Sequence, residues 1–314
     1  MRVHIEGFGI TGALLAWKLD QLGRDFTWHD IDAPQTAWKA STGAIYPCDV
    51  PYTINWEAYE RWLAWADDPG FPSQFFERAR YVYNHKRPPH HGKYKQEALP
   101  FGLAAPASPE LYSLHFNAQA FVPAMRERFA SRRVADPPVS DVDRYIVAHG
   151  FGKRYAFGYW GWTRLVRLAW DASIAEQLRP SFYFREGRFT MAYAYPVPGT
   201  TWWYAGSSII KQKTRRSLDM PEKYERWKQN FLRLGNGAVE ITAEGEYLEG
   251  WRPAREDGLW VREELRDPSG NIVLSVPPLW NSGIRHFPMV WAGIAPYLGI
   301  TNQGLDVLDL SGRN

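Results

Sequence analysis

The chain has one cysteine in 314 residues, Cys48. A single thiol excludes an internal disulfide framework and any paired-cysteine metal site, and makes a reducing cytoplasm the expected location. No apolar run reaches the roughly 20 residues needed to cross a bilayer, so no membrane partner is expected. The apolar start of the chain has no basic flank with an A-x-A site, so it does not read as an export signal. Internal repeats, a Ser-His-Asp pattern and a phosphate-binding lysine loop are missing. His90 and His91 stand together with no carboxylate or cysteine at ligand spacing, so they read as a solvated loop and no metal is expected. Neither sign of charge dominates. The net charge is +3 and the isoelectric point about 8.8, which permits an anionic partner without demanding one.

What is present in excess is aromatic: 16 Trp, 17 Tyr and 16 Phe, 16% of the chain. With 45% hydrophobic residues this supports a large core, with some rings free to line a pocket for a flat ligand.

The most informative stretch is the first thirty residues. Arg2 to Glu6 reads as a strand and Gly7-Phe8-Gly9-Ile10-Thr11-Gly12 as a G-x-G-x-x-G turn. Ala13 to Leu22 carries apolar residues at helical spacing (Leu15, Leu19, Leu22), Gly23 closes the helix, and a second strand runs from Asp25 to His29 and ends at Asp30. The first glycine makes the tight turn, the second admits a pyrophosphate, and the third lets helix and strand pack closely. The helix N-terminus then points its free N–H groups, those of Ile10 and Thr11 among them, at the phosphates. Asp30, with Ile31 after it, lies where an acid binds a ribose diol. The longer spacing through Ala16, Leu19, Gly23 and Asp30 fits an FAD fingerprint better than an NAD one.

Further along, Lys39-Ala40-Ser41-Thr42-Gly43-Ala44 leads into Ile45-Tyr46-Pro47. The fingerprint followed by this small-residue turn resembles the D-amino-acid oxidase superfamily of flavoenzymes, which includes glycine and sarcosine oxidases. It also resembles the FAD domain of the bacterial enzyme that modifies the tRNA wobble uridine. The resemblance implies non-covalent FAD, with residues 39–44 running along its pyrophosphate toward the flavin. It also implies an α/β (α+β overall) fold, in which a Rossmann-like FAD-binding domain (1–48, 118–152 and 251–314) interleaves with an antiparallel-sheet substrate domain (49–117 and 153–250). "DRYIVAHGF" (143–151) resembles the family strand that returns beside the cofactor, with Gly150 at its end. The segment before it is short, and the family usually keeps further strands there to hold the adenine. "GWRPAREDG" (250–258) resembles the motif whose arginine meets a substrate carboxylate, which makes Arg252 a binding residue for substrate and for cofactor. Asn281-Ser282-Gly283-Ile284-Arg285 matches the last flavin-binding turn in part. Tyr46, Tyr195 and Arg285 are further candidates to line the pocket.

The remaining chain gives expected helices at Asn55–Ala66, Gln119–Phe129, Pro221–Leu234 and Phe287–Ile294. Strands are expected at the end of Phe75–Tyr83 and at Glu110–Phe116, Tyr145–Ala148, Ser181–Phe184, Arg188–Val197, Trp202–Ile209 and Ile272–Val276. Lys86–Pro109, rich in Pro, His and Lys, reads as a loop. Lys153–Trp170 interleaves aromatics with arginines, which suits either stacking on nucleic-acid bases or a strand pair followed by a helix packed on a sheet. Lys211–Arg216, "KQKTRR", is a basic run on a loop.

Chemically, the family's reaction is hydride transfer from the carbon of a C–N bond to flavin N5, followed by imine hydrolysis, and it needs no general base from the protein; none is assigned. Two substrates stay open: a free small amino acid or N-alkyl glycine, and a glycine-like substituent on a pyrimidine of tRNA or DNA. A non-catalytic flavin-binding or assembly protein is the third reading. The sequence does not set the oligomeric state.

Overall fold

The computed structural model describes residues 1–32, 36–46, 53–84, 95–108, 110–136, 142–148, 157–187, 190–207, 210–212, 220–254, 263–266, 272–275, 284–285 and 287–300. In chain order these form β1 (Arg2–Glu6), α1 (Ile10–Gln21), β2 (Asp25–His29), β3 (Ala44–Ile45), α2 (Thr53–Ala66), β4 (Phe76–Asn84), β5 (Gln96–Leu99), β6 (Leu103–Pro106), β7 (Ser113–Phe116), α3 (Ala118–Arg128) and β8 (Arg144–Val147). There follow β9 (Phe157–Trp170), β10 (Pro180–Glu186), β11 (Thr190–Pro196), β12 (Trp203–Ser207), β13 (Ile210–Gln212), α4 (Met220–Gly235), β14 (Val239–Ala254), β15 (Glu263–Arg266), β16 (Ile272–Ser275) and α5 (Phe287–Ile294).

Two sheets organise the molecule. The smaller has the order β15-β16-β8-β1-β2, with β2, β1, β8 and β16 parallel and β15 antiparallel at its edge. Val3, Ile5, Phe26, Trp28 and Ile146 are buried in it, as strands covered on both faces require. Helix α1 packs here through Ala13, Leu14, Leu15, Ala16, Trp17 and Leu19, apolar nearly all round and therefore buried. The same core takes in Tyr59 and Trp62 of α2, Phe121 and Met125 of α3, and Phe287 and Trp291 of α5.

The larger sheet has eleven strands. Its main path is β13-β9-β12-β11-β10-β4-β6-β5, with β14 added on β9, and β7 joining β3 to β4. Its pairs are antiparallel except β10 with β4. One face carries Phe182, Phe184, Ala192, Ala194 and Ala205 and is covered by Tyr224, Trp227, Phe231 and Leu234 of α4, which recur at helical spacing. The opposite face carries Tyr81, Tyr83, Tyr183, Tyr193 and Tyr195. The expected combination of a Rossmann-like α/β sheet with a largely antiparallel one is the fold observed.

Several expected elements change. The loop expected over Lys86–Pro109 contains the β5–β6 hairpin, with Leu103, Ala104 and Ala105 buried; Ala and Pro carry little strand signal until the partner strand is known. His90 and His91 lie outside the described residues. The strand expected over Glu110–Phe116 begins only at Ser113. Lys153–Trp170 is neither a strand pair nor a helix from residue 157 onward: it is one fourteen-residue strand, held along its length by the sixteen-residue β14.

Candidate active site

Strand β1 ends in the first glycine turn. Gly7 adopts φ +97° and donates its N–H to His29 O at 2.8 Å, which locks the turn onto β2. A Cβ on Gly12 would stand 2.0 Å from Gly7 O, so only glycine permits this approach of helix to strand. Gly9 caps α1 with no side-chain hydrogen bond, and the first helical turn holds no acid. The first N–H groups of a helix have no intrahelical partner, and Gly9 brings no side chain over them, so this turn suits an anion.

The second turn lies against the first. Residues Ala37–Ala40 form a short 3-10 turn, Ala40 and Ser41 are buried, and Ser41 Oγ accepts from Gly43 N–H at 3.3 Å. Gly43 has φ +58°, and a Cβ on it would stand 1.9 Å from Phe116 O. The pyrrole edge of Trp38 reaches Gly9: its Cδ1 lies 3.7 Å from where a Gly9 Cβ would be. The Trp38 indole nitrogen and Thr36 Oγ1 are both buried and have no hydrogen-bond partner among the described residues. Two orphaned polar groups beside an uncapped helix N-terminus are what a bound pyrophosphate would satisfy, so these residues fit a dinucleotide.

From the second turn β3 leads to Tyr46, which meets the tyrosine face of the large sheet. Its ring stacks on Tyr81 (5.2 Å between centroids) and lies 5.8 Å from both Tyr183 and Tyr195. Tyr193 stacks on Tyr195 at 4.6 Å, and Tyr83 follows Tyr81 at 5.5 Å. Six tyrosines from four segments thus form one wall. Arg285 enters from the far end of the chain, its guanidinium 4.5 Å from the Tyr46 centroid and its Nη2 donating to Ala44 O at 3.5 Å. The Trp62 indole N–H holds the carbonyls of Ile284 and Arg285 at 2.9 and 3.0 Å, which fixes this segment to α2. Of the pocket candidates, Tyr46, Tyr195 and Arg285 therefore come together.

Burial pushes the Tyr83 phenol up to about 12, and burial among the other phenols raises Tyr195 well above the ordinary value. At neutral pH both stay protonated, so they can donate hydrogen bonds but cannot serve as bases. His115, fully buried beside Tyr195 (5.4 Å), is pushed down to about 3 by burial and is neutral.

Asp30 stands at the end of β2 as expected, yet its carboxylate is already engaged. One oxygen accepts from Phe8 N–H at 3.0 Å and from Arg126 of α3; the other accepts from Asp32 N–H at 3.2 Å. Asp32 bonds Arg126 and Arg133, and these arginines hold its carboxyl below the usual range. Ile31 is 80% exposed. In the short stretch after α3, Arg133 forms a parallel bridge with Trp28, and Val134 N–H donates to Trp28 O at 2.9 Å, so residues 133–134 run beside β2.

Gly150, Asn281, Ser282 and Gly283 lie outside the described residues. So does the side chain of Arg252, whose backbone pairs with Tyr159 in β14. Two residues earlier, Gly250 passes so close to the second turn that a Cβ would stand 2.8 Å from Thr36 O. Lys39 lies at the turn with its ammonium 5.7 Å from the Trp38 ring centroid. Among the described residues no cluster of His, Cys, Asp and Glu could hold a metal, and no helix is long and apolar enough to cross a membrane.

The sequence reading missed Trp38, Arg126 and most of the tyrosine wall. A signal for the wall existed, since Tyr81/Tyr83 and Tyr193/Tyr195 both repeat at the strand period of two. Trp38 and Arg126 gave none, because their roles depend on which backbone lies opposite.

No family model matches the chain, and no curated protein matches it in sequence. Its fold is that of several solved oxidoreductases. Iminodiacetate oxidase from Chelativorans sp. BNC1 superposes with a TM-score of 0.66 at 16% identity, over 98% of each chain. Glycine oxidase from Geobacillus kaustophilus gives 0.65 at 14%, over 98% of this chain and 97% of that one. Glycerol-3-phosphate dehydrogenase from Bacillus halodurans, solved in complex with FAD, gives 0.57 at 14%, over 97% of this chain and 66% of that one.

Proposed function

We propose that the chain is an FAD-dependent oxidase or dehydrogenase of a small amine or amino acid, acting on a C–N bond. The observation that carries this reading is the junction of the two glycine turns with the tyrosine wall. The turns offer unsatisfied donors for a pyrophosphate, and residues 44–46 lead from them directly into a buried aromatic surface. The shared fold supports it, since the neighbours include enzymes named for amine substrates and one complexed with FAD. The neighbour named for glycerol-3-phosphate is a reminder that fold alone does not choose the substrate, so the choice of an amine rests on the wall.

FAD, when bound, supplies the hydride acceptor. The protein's work is then binding, orientation and exclusion of water. The free N–H groups of α1, with Thr36 and Trp38, would hold the pyrophosphate. The tyrosine faces would accept a cationic amine on arrival, its proton passing to solvent before the hydride leaves, and their packing would then keep bulk water from the reacting carbon. Arg285, and Arg252 by its motif, would hold a substrate carboxylate in the forked geometry a guanidinium provides. No described side chain at the wall is needed as a base.

A substrate carried on tRNA or DNA is less well supported. Arg164 pairs with Glu244 at 2.9 Å and lies over Tyr224 and Tyr247, and Arg167 lies over Trp202. These arginines of the aromatic and basic stretch are engaged in internal contacts. The purified protein should be yellow, with absorbance near about 450 nm, and should bleach anaerobically with glycine, sarcosine, iminodiacetate or proline. Bleaching only by modified nucleic acid would overturn the free-amine reading. A protein that takes up no FAD would overturn the flavoenzyme itself.

A further inference from the structure

Helix α3 touches both cofactor turns, and does so through two side chains seven residues apart, hence on the same face about 10 Å apart along the axis. Near its start, Gln119 donates both hydrogens of its amide, to Lys39 O (3.0 Å) and Ser41 O (3.1 Å) of the second turn. The same amide oxygen accepts the Tyr204 hydroxyl at 2.5 Å, and Tyr204 pairs across the sheet with Tyr195 of the wall. Near its end, Arg126 donates from Nε (3.3 Å) and Nη2 (3.1 Å) to Phe8 O inside the first turn, and also bonds Asp30 and Asp32. Phe8 N–H in turn donates to Asp30, so the turn is gripped by its carbonyl and its amide together.

We propose, resting on the flavin reading above, that α3 is a two-point clamp which sets the shape of both phosphate-facing turns before the cofactor binds, with Gln119 and Arg126 as positioning residues. In this arrangement Asp30 serves first to hold the turn. A ribose diol is left the unfilled side of one carboxylate oxygen, because the other already has two donors. Gln119 links the cofactor turn to the wall, so the place of the cofactor and the place of the substrate are set by one amide.

The test compares the full-length protein with Arg126→Met, Arg126→Lys, Gln119→Leu and Gln119→Glu, the last keeping an acceptor for Tyr204 while losing both donors. Hydrogen exchange is followed in the apoprotein at residues 7–12 and 38–43, and FAD affinity is taken from flavin fluorescence. Arg126→Met should speed exchange in the first turn only, both Gln119 variants in the second only, and each should weaken FAD about tenfold or more. Arg126→Lys should restore part of the loss. Unchanged exchange in the turns overturns the clamp. Altered exchange with FAD affinity within about twofold of wild type overturns its role in cofactor binding. Tighter binding by Arg126→Met overturns it too, since Arg126 would then be competing with the ribose. If wild type takes up no flavin, the flavin reading fails and the exchange comparison alone decides the clamp.

Discussion

Trp38 shows how a single unpartnered atom bears on the proposed cofactor. An indole N–H buried without a partner costs about 1–3 kcal/mol, and that cost is recovered only when an acceptor arrives. Trp38→Phe removes the donor together with the pyrrole ring and keeps a six-membered aromatic ring. The lost packing and the relieved orphan donor oppose each other in apoprotein stability, while FAD should weaken about five- to tenfold in a fluorescence titration. Buried histidines give a second consequence at this scale. His4, bonded to Thr27 Oγ1 at 2.9 Å, is lowered to about 4 by burial, and His115 to about 3. The unfolded chain protonates both near 6.5 whereas the native chain does not, so stability falls as pH drops from about 6.5 toward those values. Each histidine adds a slope of up to about 1.4 kcal/mol per pH unit in that window. Urea denaturation at pH 7 and pH 5 should show the loss, and His4→Gln should lessen it.

Elements with a strong local signal were legible from the chain alone. α1 follows from a glycine turn, an apolar run and Gly23; α4 from Tyr224, Trp227, Phe231 and Leu234 at helical spacing; α5 matched residue for residue. Elements defined by partners were not. β14 reads as alternating acid and apolar residues with Gly245 and Gly250 inside it, and gains its meaning from β9, against which it runs with two register irregularities. β9 was obscured by its own richness, because aromatics and arginines serve a strand, a helix or a nucleic-acid surface equally well. Of the site, the glycine turns were legible, while the engagement of Asp30 was not, since Arg126 is 96 residues away in sequence. Close packing sets a limit on these turns. Gly43→Ala would force a Cβ to within 1.9 Å of Phe116 O at a positive φ, and should lower stability by several kcal/mol in thermal melts and abolish flavin uptake.

At the scale of the molecule, cofactor and stability are linked. A ligand bound only by the native state at about a hundredfold excess over its Kd adds about 2.7 kcal/mol, so FAD should raise the melting temperature of the apoprotein by several degrees. Trp62→Phe should reduce that rise. It frees the carbonyls of Ile284 and Arg285, which tie residues 284–285 to α2, and also removes the buried pyrrole ring of Trp62, so the FAD-dependent rise is read against the variant's own lowered apoprotein melting temperature.

The order of the small sheet also sets a timetable for synthesis. Strand β1 leaves the ribosome more than a hundred residues before its neighbour β8, and β16 follows later still. At about 5–20 residues per second, β1 and its glycine turn wait on the order of tens of seconds for the strands that complete their sheet. During that interval the edge of β1 that will take β8 is open to wrong partners, since β2 covers only the opposite edge. A ribosome-bound chain stalled before residue 272 should therefore fail to retain flavin, and a chain released beyond residue 300 should acquire it. The glycine turns leave the ribosome well before the strands that complete the sheet behind them.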